Sequence, residues 1–398
     1  MTDPWLTVVG IGEDGLDGLG PAARKALDGA AVLVGGERHL AMVPDDGRER
    51  LAWSSPLGHR LDEIVARRGE AICVLASGDP MCFGIGTTLA ARVPIAEMRI
   101  FPAPSAFSLA CARLGWSLPD VECLSLHGRP FAAVNAYLYP GAKLLALSND
   151  GATPAKLAAH LVAYGYGESK ISVFERMGGA DERCIEATAA KWDGDAADLN
   201  TIAVACAGTG GHARSPGLDD DAYESDGQLT KREVRAVTLS ALAPLPGQLL
   251  WDVGAGAGSI AIEWLRSDPR CRAIAIEKDA QRCARITSNA NALGVPGLDV
   301  VEGAAPVALA GLAQPHAIFL GGGVADEKTW QVCWQALANG GRLVANAVTV
   351  AGESRMLEWQ GRTGGRLARL AVSRAEPMGG VVAWRAMRPV TQLIAEKP

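Results

Sequence analysis

The chain has 398 residues, 48% of them apolar, and a formal net charge of −6. That length predicts two or three domains, each able to bury a core, and the apolar fraction excludes a disordered chain. The acidic balance argues against a general nucleic-acid or anionic-membrane surface, so an anionic substrate must find local cations.

The opening, MTDPWLTVVGIG, lacks the basic and long apolar regions of a secretory signal, and no apolar run approaches a membrane span. A cytoplasmic protein without membrane contact is expected. TVVGIGEDG reads as a strand ending in Gly10, Gly12 and Gly15, and AAVLVGGERHL as another ending in Gly35 and Gly36. AICVLASGDPMCFGIGTTL is a buried strand, a turn at Ser77-Gly78-Asp79-Pro80, and a glycine-rich helix start. RIFPAPSAFSLACARLG, CLSLHGRP, KLLALSND and KISVFERMGG continue an α/β pattern.

Residues 208–227, GTGGHARSPGLDDDAYESDG, lose apolar periodicity and carry Asp219, Asp220, Asp221, Glu224 and Asp226 against Arg214. This is the composition of a solvated tether. It suggests domains at 1–207 and 228–398. Thr230 and Glu233 then read as a capping box opening a helix.

Leu249–Leu265, LLWDVGAGAGSIAIEWL, is an apolar strand, a three-glycine turn and an amphipathic helix. Asp252 closes the strand, Gly254, Ala255, Gly256, Ala257 and Gly258 form the turn, and Ser259 starts the helix. A dinucleotide fingerprint would place glycine at 259; G-x-G-x-G after an acidic residue is instead the pattern of S-adenosylmethionine (SAM) methyltransferases. Nineteen residues past Gly258, Glu277 ends the next strand, where a carboxylate can accept both ribose hydroxyls. Gly303 and Ala304 suit an adenine contact, and Gly321 faces the expected place of methyl transfer. The absence of an Asn/Asp-Pro-Pro-aromatic motif there weighs against base-amine methylation. LDVVEG, AIFLGG and RLVANAV continue the alternation, and the tail reads as two strands around Gly379-Gly380, giving a doubly wound sheet with an antiparallel edge.

Nine scattered cysteines without a C-x-x-C pair suggest reduced, mostly buried thiols, and six dispersed histidines suggest no protein-held metal.

VVGIG, VGGERHL, LASGDPMCFGIG, PAPSAFSLA, LSLHGR and VFERMGG resemble the tetrapyrrole methylases of the cobalamin pathway. LTKREVRA, DVGAGAGSIAIEW, EGAAP and FLGGG resemble their partner methyltransferase domain. The tandem is similar to the fused, decarboxylating precorrin C5,15-methyltransferases. The resemblance implies a two-subdomain tetrapyrrole methylase fold followed by a seven-stranded Rossmann-like fold, one SAM per domain, and a homo-oligomer. It implies methylation of a corrinoid at C5 by the first domain, and C15 methylation with loss of CO2 from the C12 acetate by the second, giving precorrin-8X. By the same resemblance Gly10, Gly78, Asp79, Pro80, Ser105 and Ala106 would contact SAM in the first domain, and Thr230 would join the contacts in the second.

A sulfonium methyl needs in-line geometry more than a strong base. Asp79 and Glu175 are candidates for stabilising the cationic ring. Arg38, His39, His127 and Arg129 in the first domain, and Lys231, Arg232 and Arg235 in the second, are candidate clamps for ring carboxylates. Residue chemistry leaves open a cobalt-bearing substrate, an RNA or protein methyltransferase with an N-terminal recognition domain, and a scaffold whose first half has lost SAM.

Overall fold

A computed structural model describes residues 4–398; the first three residues of the opening segment lie outside the described residues. The chain forms two compact units. One comprises Met1–Arg129 and Tyr139–Gly210, the other Pro130–Leu138 and Gly211–Pro398.

The first unit opens with β1 (Leu6–Ile11), β2 (Val32–Gly35), β3 (Glu49–Ala52), β4 (Ile72–Ser77) and β5 (Met98–Phe101), a parallel sheet in the order β3-β2-β4-β1-β5. Its central strands are near-continuous apolar runs because both faces are covered. Val8 and Val74 pack with Leu61 and Ile64 of the helix Leu57–Ala66, while their neighbours Val9 and Leu75 pack with Ala23 and Leu27 of the helix Pro21–Asp28. A second sheet holds β6 (Glu122–Ser125), β7 (Lys143–Leu147), β8 (Lys170–Glu175), β9 (Arg183–Thr188) and β10 (Asn200–Ala205) in the order β6-β7-β10-β8-β9, with only β6 and β7 parallel. The sequence pattern missed β3, β9 and β10. β3 and β9 are edge strands with charged residues, and β10 follows an Asp- and Gly-rich run that masks it.

The second unit contains β11 (Leu249–Val253), β12 (Arg272–Glu277), β13 (Asp299–Glu302), β14 (Ala317–Leu320), β15 (Arg342–Ala347), β16 (Arg366–Leu370), a hairpin of β17 (Ser373–Met378) and β18 (Val381–Ala386), and β19 (Val390–Glu396). The main sheet runs β13-β12-β11-β14-β15-β19-β16, with β19 antiparallel to both neighbours. Leu250, Ala273 and Ala275 face a core with Ile260 and Ile286, whereas Leu249, Trp251 and Ile274 face the opposite core around Trp330 and Trp359, whose rings stack at 5.1 Å. The expected pair of tail strands is in fact four. Each half is interrupted, and the Gly379-Gly380 turn joins β17 and β18 in a separate two-stranded ribbon.

Two local expectations are corrected. Lys231, not Thr230, is the N-cap of the helix Arg232–Leu242, and it makes no side-chain cap; Glu233 is drawn instead to Arg374 at 2.6 Å. The stretch read as a solvated tether is partly core. Leu218 and Tyr223 are buried, and Glu263 accepts from the Gly217 amide at 2.6 Å, the Leu218 amide at 3.1 Å and the Tyr223 hydroxyl at 2.9 Å. Two apolar residues are too few for periodicity, yet they suffice to anchor the segment. Also in this unit, Asn135 donates to the Asn291 carbonyl at 3.1 Å, so residues 130–138 pack on the helix Ala280–Ala292.

Candidate active sites

In the second unit a cavity of about 1100 Å³ opens at the carboxyl ends of β11, β12 and β14, where a doubly wound sheet places its ligand. Gly254, Ala255, Gly256, Glu277, Gly303, Ala304, Gly321, Thr230 and Lys231 all line it. The turn depends on glycine at two points. Gly254 has φ +74°, and a Cβ there would lie 2.6 Å from the Gly322 Cα; Gly256 has φ +62°, and its Cβ would meet the Gln228 carbonyl oxygen at 2.9 Å. The buried Glu277 carboxylate accepts the Gly256 amide through Oε2 at 2.9 Å and the Asp279 amide through Oε1 at 3.1 Å. Each oxygen keeps a lone pair for a hydroxyl in the cavity, so the residues present fit the ribose of SAM.

Asp252, Ala257 and Gly258 do not line the cavity; they lie beneath it. Asp252 is fully buried, its Oδ2 accepts the Ala261 amide at 3.1 Å, and its Oδ1 has no partner. Burial, assisted by the Glu277 charge, pushes its carboxyl up to about 7. A Cβ at Gly258 would strike Ile286 at 2.8 Å, so that glycine answers to packing.

Two proposed clamps are corrected. Arg235 is wholly buried, paired with Glu263 and donating to the carbonyls of Thr230 and Leu218. Its fork braces the chain before the helix and does not line the cavity. Arg232 faces outward to Asp219. The cations that do line the cavity beside Lys231 are Lys278, Arg282, Arg385 and Arg388. Arg282 is tied to Asp226 at 2.8 Å and Arg385 to Glu376 at 3.1 Å, whereas Lys231, Lys278 and Arg388 enter no ion pair among the described residues. Sequence reasoning passed over Lys278 although it adjoins Glu277; Arg388 comes from a distant loop and carried no signal.

In the first unit a cavity of about 440 Å³ is lined by Gly78, Asp79, Ser105, Ala106, Arg38, His39 and His127. Gly78 turns at φ +55°, and its Cβ would meet the Pro104 carbonyl oxygen at 2.8 Å, so two backbone turns abut at the cavity wall. Asp79 Oδ1 accepts the Met81 amide at 2.8 Å, and Ser105 Oγ caps its helix by accepting the Ser108 amide at 3.1 Å. Backbone groups and small side chains at this wall fit SAM held chiefly by main chain. Gly10 and Pro80 sit behind it. A Cβ on Gly10 would stand 1.9 Å from the Gly78 carbonyl oxygen, and Pro80 accepts the Gly86 amide at 2.9 Å.

Arg38 contacts His39 Nε2 at 2.8 Å and Ser77 Oγ at 3.1 Å, and pairs with Glu13. Arginine only donates, so Nε2 accepts and the ring proton sits on Nδ1, which has no partner. Burial and the Arg38 charge lower His39 to about 4, leaving it neutral near pH 7.

Glu175 is corrected as a catalytic candidate. It is buried outside the cavity lining, held by Arg183 at 2.7 and 2.9 Å and by the Ala197 amide at 2.7 Å, and the Arg183 hydrogen bonds hold its carboxyl below the usual range. Arg129 lies over the Phe83 ring at 5.0 Å and does not line the cavity.

Among the described residues no three His, Cys, Asp or Glu side chains gather as metal ligands, all nine cysteines are free thiols, and no helix is long and apolar enough to cross a membrane.

Comparison with known proteins places the chain in a family. Residues 6–193 match the model for tetrapyrrole (corrin/porphyrin) methylases, and residues 221–397 the precorrin methyltransferase domain. A Sinorhizobium precorrin-6Y C(5,15)-methyltransferase (decarboxylating) is 51% identical, the match covering 98% of this chain and 96% of that protein. One of the same name from Mycobacterium tuberculosis is 42% identical over 97% and 98%. A crystal structure of the C-terminal domain of precorrin-6Y C5,15-methyltransferase from Rhodobacter capsulatus is 42% identical, covering 47% of this chain and all of that one, with a TM-score of 0.45. With near-complete coverage at such identity, the chain belongs to the precorrin-6Y C(5,15)-methyltransferase (decarboxylating) family of SAM-dependent enzymes.

Proposed function

We propose that the chain methylates precorrin-6Y at C5 and C15 and removes CO2 from its C12 acetate, giving precorrin-8X, with one SAM site in each unit. The observation that carries this reading is that each unit has its own cavity walled by a glycine turn, in a chain matched end to end by relatives of that name. The first unit, broadly the expected 1–207 domain, would add the C5 methyl; the second, broadly 228–398 with its packed 217–223 segment, would add the C15 methyl and decarboxylate.

SAM, when bound, supplies an electrophilic methyl group on a sulfonium. Gly254, Ala255, Gly256 and Glu277 would hold it in the second unit, with Gly303 and Ala304 at the adenine, and Gly78, Asp79, Ser105 and Ala106 in the first. The protein orients a ring carbon toward that methyl and keeps water out. Each methylation would form a carbon–carbon bond at a ring carbon as the methyl–sulfur bond breaks, its electron pair staying on the sulfur that leaves as a thioether, and the ring carbon would release its proton. In decarboxylation the C–CO2 bond breaks, its electrons enter the conjugated ring, and a proton completes the new methyl group. Lys231, Lys278 and Arg388 suit the clamping of other carboxylates, so that the departing one need not face a cation.

A cytoplasmic homo-oligomer completes the reading. The β17–β18 ribbon exposes Met378, Val381, Val382 and Trp384, each more than 60% accessible, and such a patch supports burial against another copy. The test is mass spectrometry of precorrin-6Y, metal-free and cobalt-loaded, after incubation with chain and SAM. Two methyls gained with one CO2 lost on the metal-free ring support it; turnover of the cobalt ring alone replaces the substrate.

A further inference from the structure

Among the described residues three non-glycine residues have left-handed backbone, and two of them, Phe83 at φ +54° and Arg176 at φ +46°, line the cavity of the first unit. Such conformations cost energy and persist where neighbours enforce them, often at sites of function. Around Arg176 the enforcement is visible. Glu175 is locked by Arg183, the Arg176 amide donates to the Leu199 carbonyl at 3.2 Å, its carbonyl accepts the Gly179 amide at 3.1 Å, and the Gly178 amide is held by Glu182 at 2.8 Å. The result is that Glu175 turns away from the cavity and Arg176 lines it.

The same loop abuts the one that carries Glu13: a Cβ on Gly179 would lie 2.8 Å from the Glu13 Cβ. Glu13 pairs with Arg38, which also lines the cavity, and burial first, then the nearby Arg176 charge, disfavours protonated Arg38. Among the described residues the one ion pair of Arg176 is a 3.5 Å contact to the exposed Asp181. Two guanidiniums thus border one small cavity, with one carboxylate between their loops.

We infer that Arg38 and Arg176 form a receptor for a peripheral carboxylate of the corrinoid, and that Glu13 is the resident counter-ion which that carboxylate displaces. The inference rests on the functional reading above and extends it to Arg176 and Glu13. A planar fork suits carboxylate geometry, and Glu13 spares two like charges from facing the cavity unpaired before substrate arrives.

The test uses the full-length chain and the variants Arg176→Gly, which relieves the backbone conformation while removing the side chain, Arg38→Ala, and Glu13→Gln. Read-outs are the KM for precorrin-6Y in C5 methylation, SAM affinity by calorimetry, C15 methylation, and fluorescence-detected binding of the octacarboxylate uroporphyrin I. Arg176→Gly is expected to weaken porphyrin binding and raise the C5 KM by about ten- to a hundredfold, and Glu13→Gln to tighten them by about two- to fivefold, with SAM affinity and C15 methylation unchanged. Unchanged KM and porphyrin affinity in Arg176→Gly would overturn the inference, as would an equal loss of SAM binding. If the wild-type chain leaves precorrin-6Y untouched while Arg176→Gly still weakens porphyrin binding, the functional reading falls and the receptor stands.

Discussion

Glu277 holds the Gly256 amide at 2.9 Å, so the residue suited to the cofactor's ribose also fixes the glycine turn suited to its other end. Truncation to Glu277→Ala therefore removes two functions at once. With charge-assisted hydrogen bonds worth about 1.5–3 kcal/mol, SAM affinity of the second site should fall about ten- to a hundredfold. Calorimetry should find two sites per chain in the wild type and one at the original affinity in the variant. Two undiminished sites would show that Glu277 does not serve the cofactor.

Gly10→Ala addresses the other unit. Its added Cβ, 1.9 Å from the Gly78 carbonyl, must push the two turns at the cavity wall apart. C5 methylation should drop at least about tenfold, because misplacement by about 1 Å can cost a hundredfold. C15 methylation should be retained, and a chain that keeps both activities would contradict this account of the wall.

Arg235→Ala should destabilise the second unit by about 3–5 kcal/mol, since it leaves the Glu263 carboxylate buried without its cation. Arg235→Lys should restore little, because a single ammonium cannot also reach the Thr230 and Leu218 carbonyls. Urea denaturation checks both; a loss below about 1 kcal/mol would place Arg235 among ordinary surface pairs.

Asp252 predicts a pH signature. In the unfolded chain its carboxyl ionises near 3.8, whereas in the fold burial holds the proton until about 7. Between these values the unfolded state binds fewer protons, so this group lowers stability as pH rises from about 4 to about 7 and adds no further slope above. Asp252→Asn should therefore gain stability relative to wild type across that window, on the order of several kcal/mol at its upper end. Parallel stability curves for the two proteins from pH 4.5 to 8 would contradict it.

What the sequence made legible was local. Gly254, Ala255 and Gly256 of the turn and the carboxylate of Glu277 are set by neighbours in the chain, so their spacing carries them to one cavity. The cations behaved differently. Arg235 and Lys231 look alike in LTKREVRAV, but Arg235 lies within the helix in a buried pair, whereas Lys231 stands before it as the N-cap, at the cavity. Arg388 enters from the loop before β19, and the loops of Glu13 and Arg176, far apart in sequence, abut at Gly179 beside one cavity. No periodicity encodes such meetings. Thr230 and Glu233 had capping-box spacing, but Arg374 offered Glu233 a stronger partner from the distant ribbon.

The central claim is that one chain carries two independent methyl-transfer sites. Mass spectrometry of precorrin-6Y incubated with SAM and wild type, Gly10→Ala or Glu277→Ala, with methyl positions assigned by fragmentation, tests it most directly. The account predicts both methyls and loss of CO2 for wild type, C5 methylation slowed at least about tenfold with C15 methylation kept for Gly10→Ala, and, at SAM limiting for the second site, C15 methylation slowed at least about tenfold with C5 methylation kept for Glu277→Ala. Equal slowing of both methylations in either variant, with the protein folded, would contradict it.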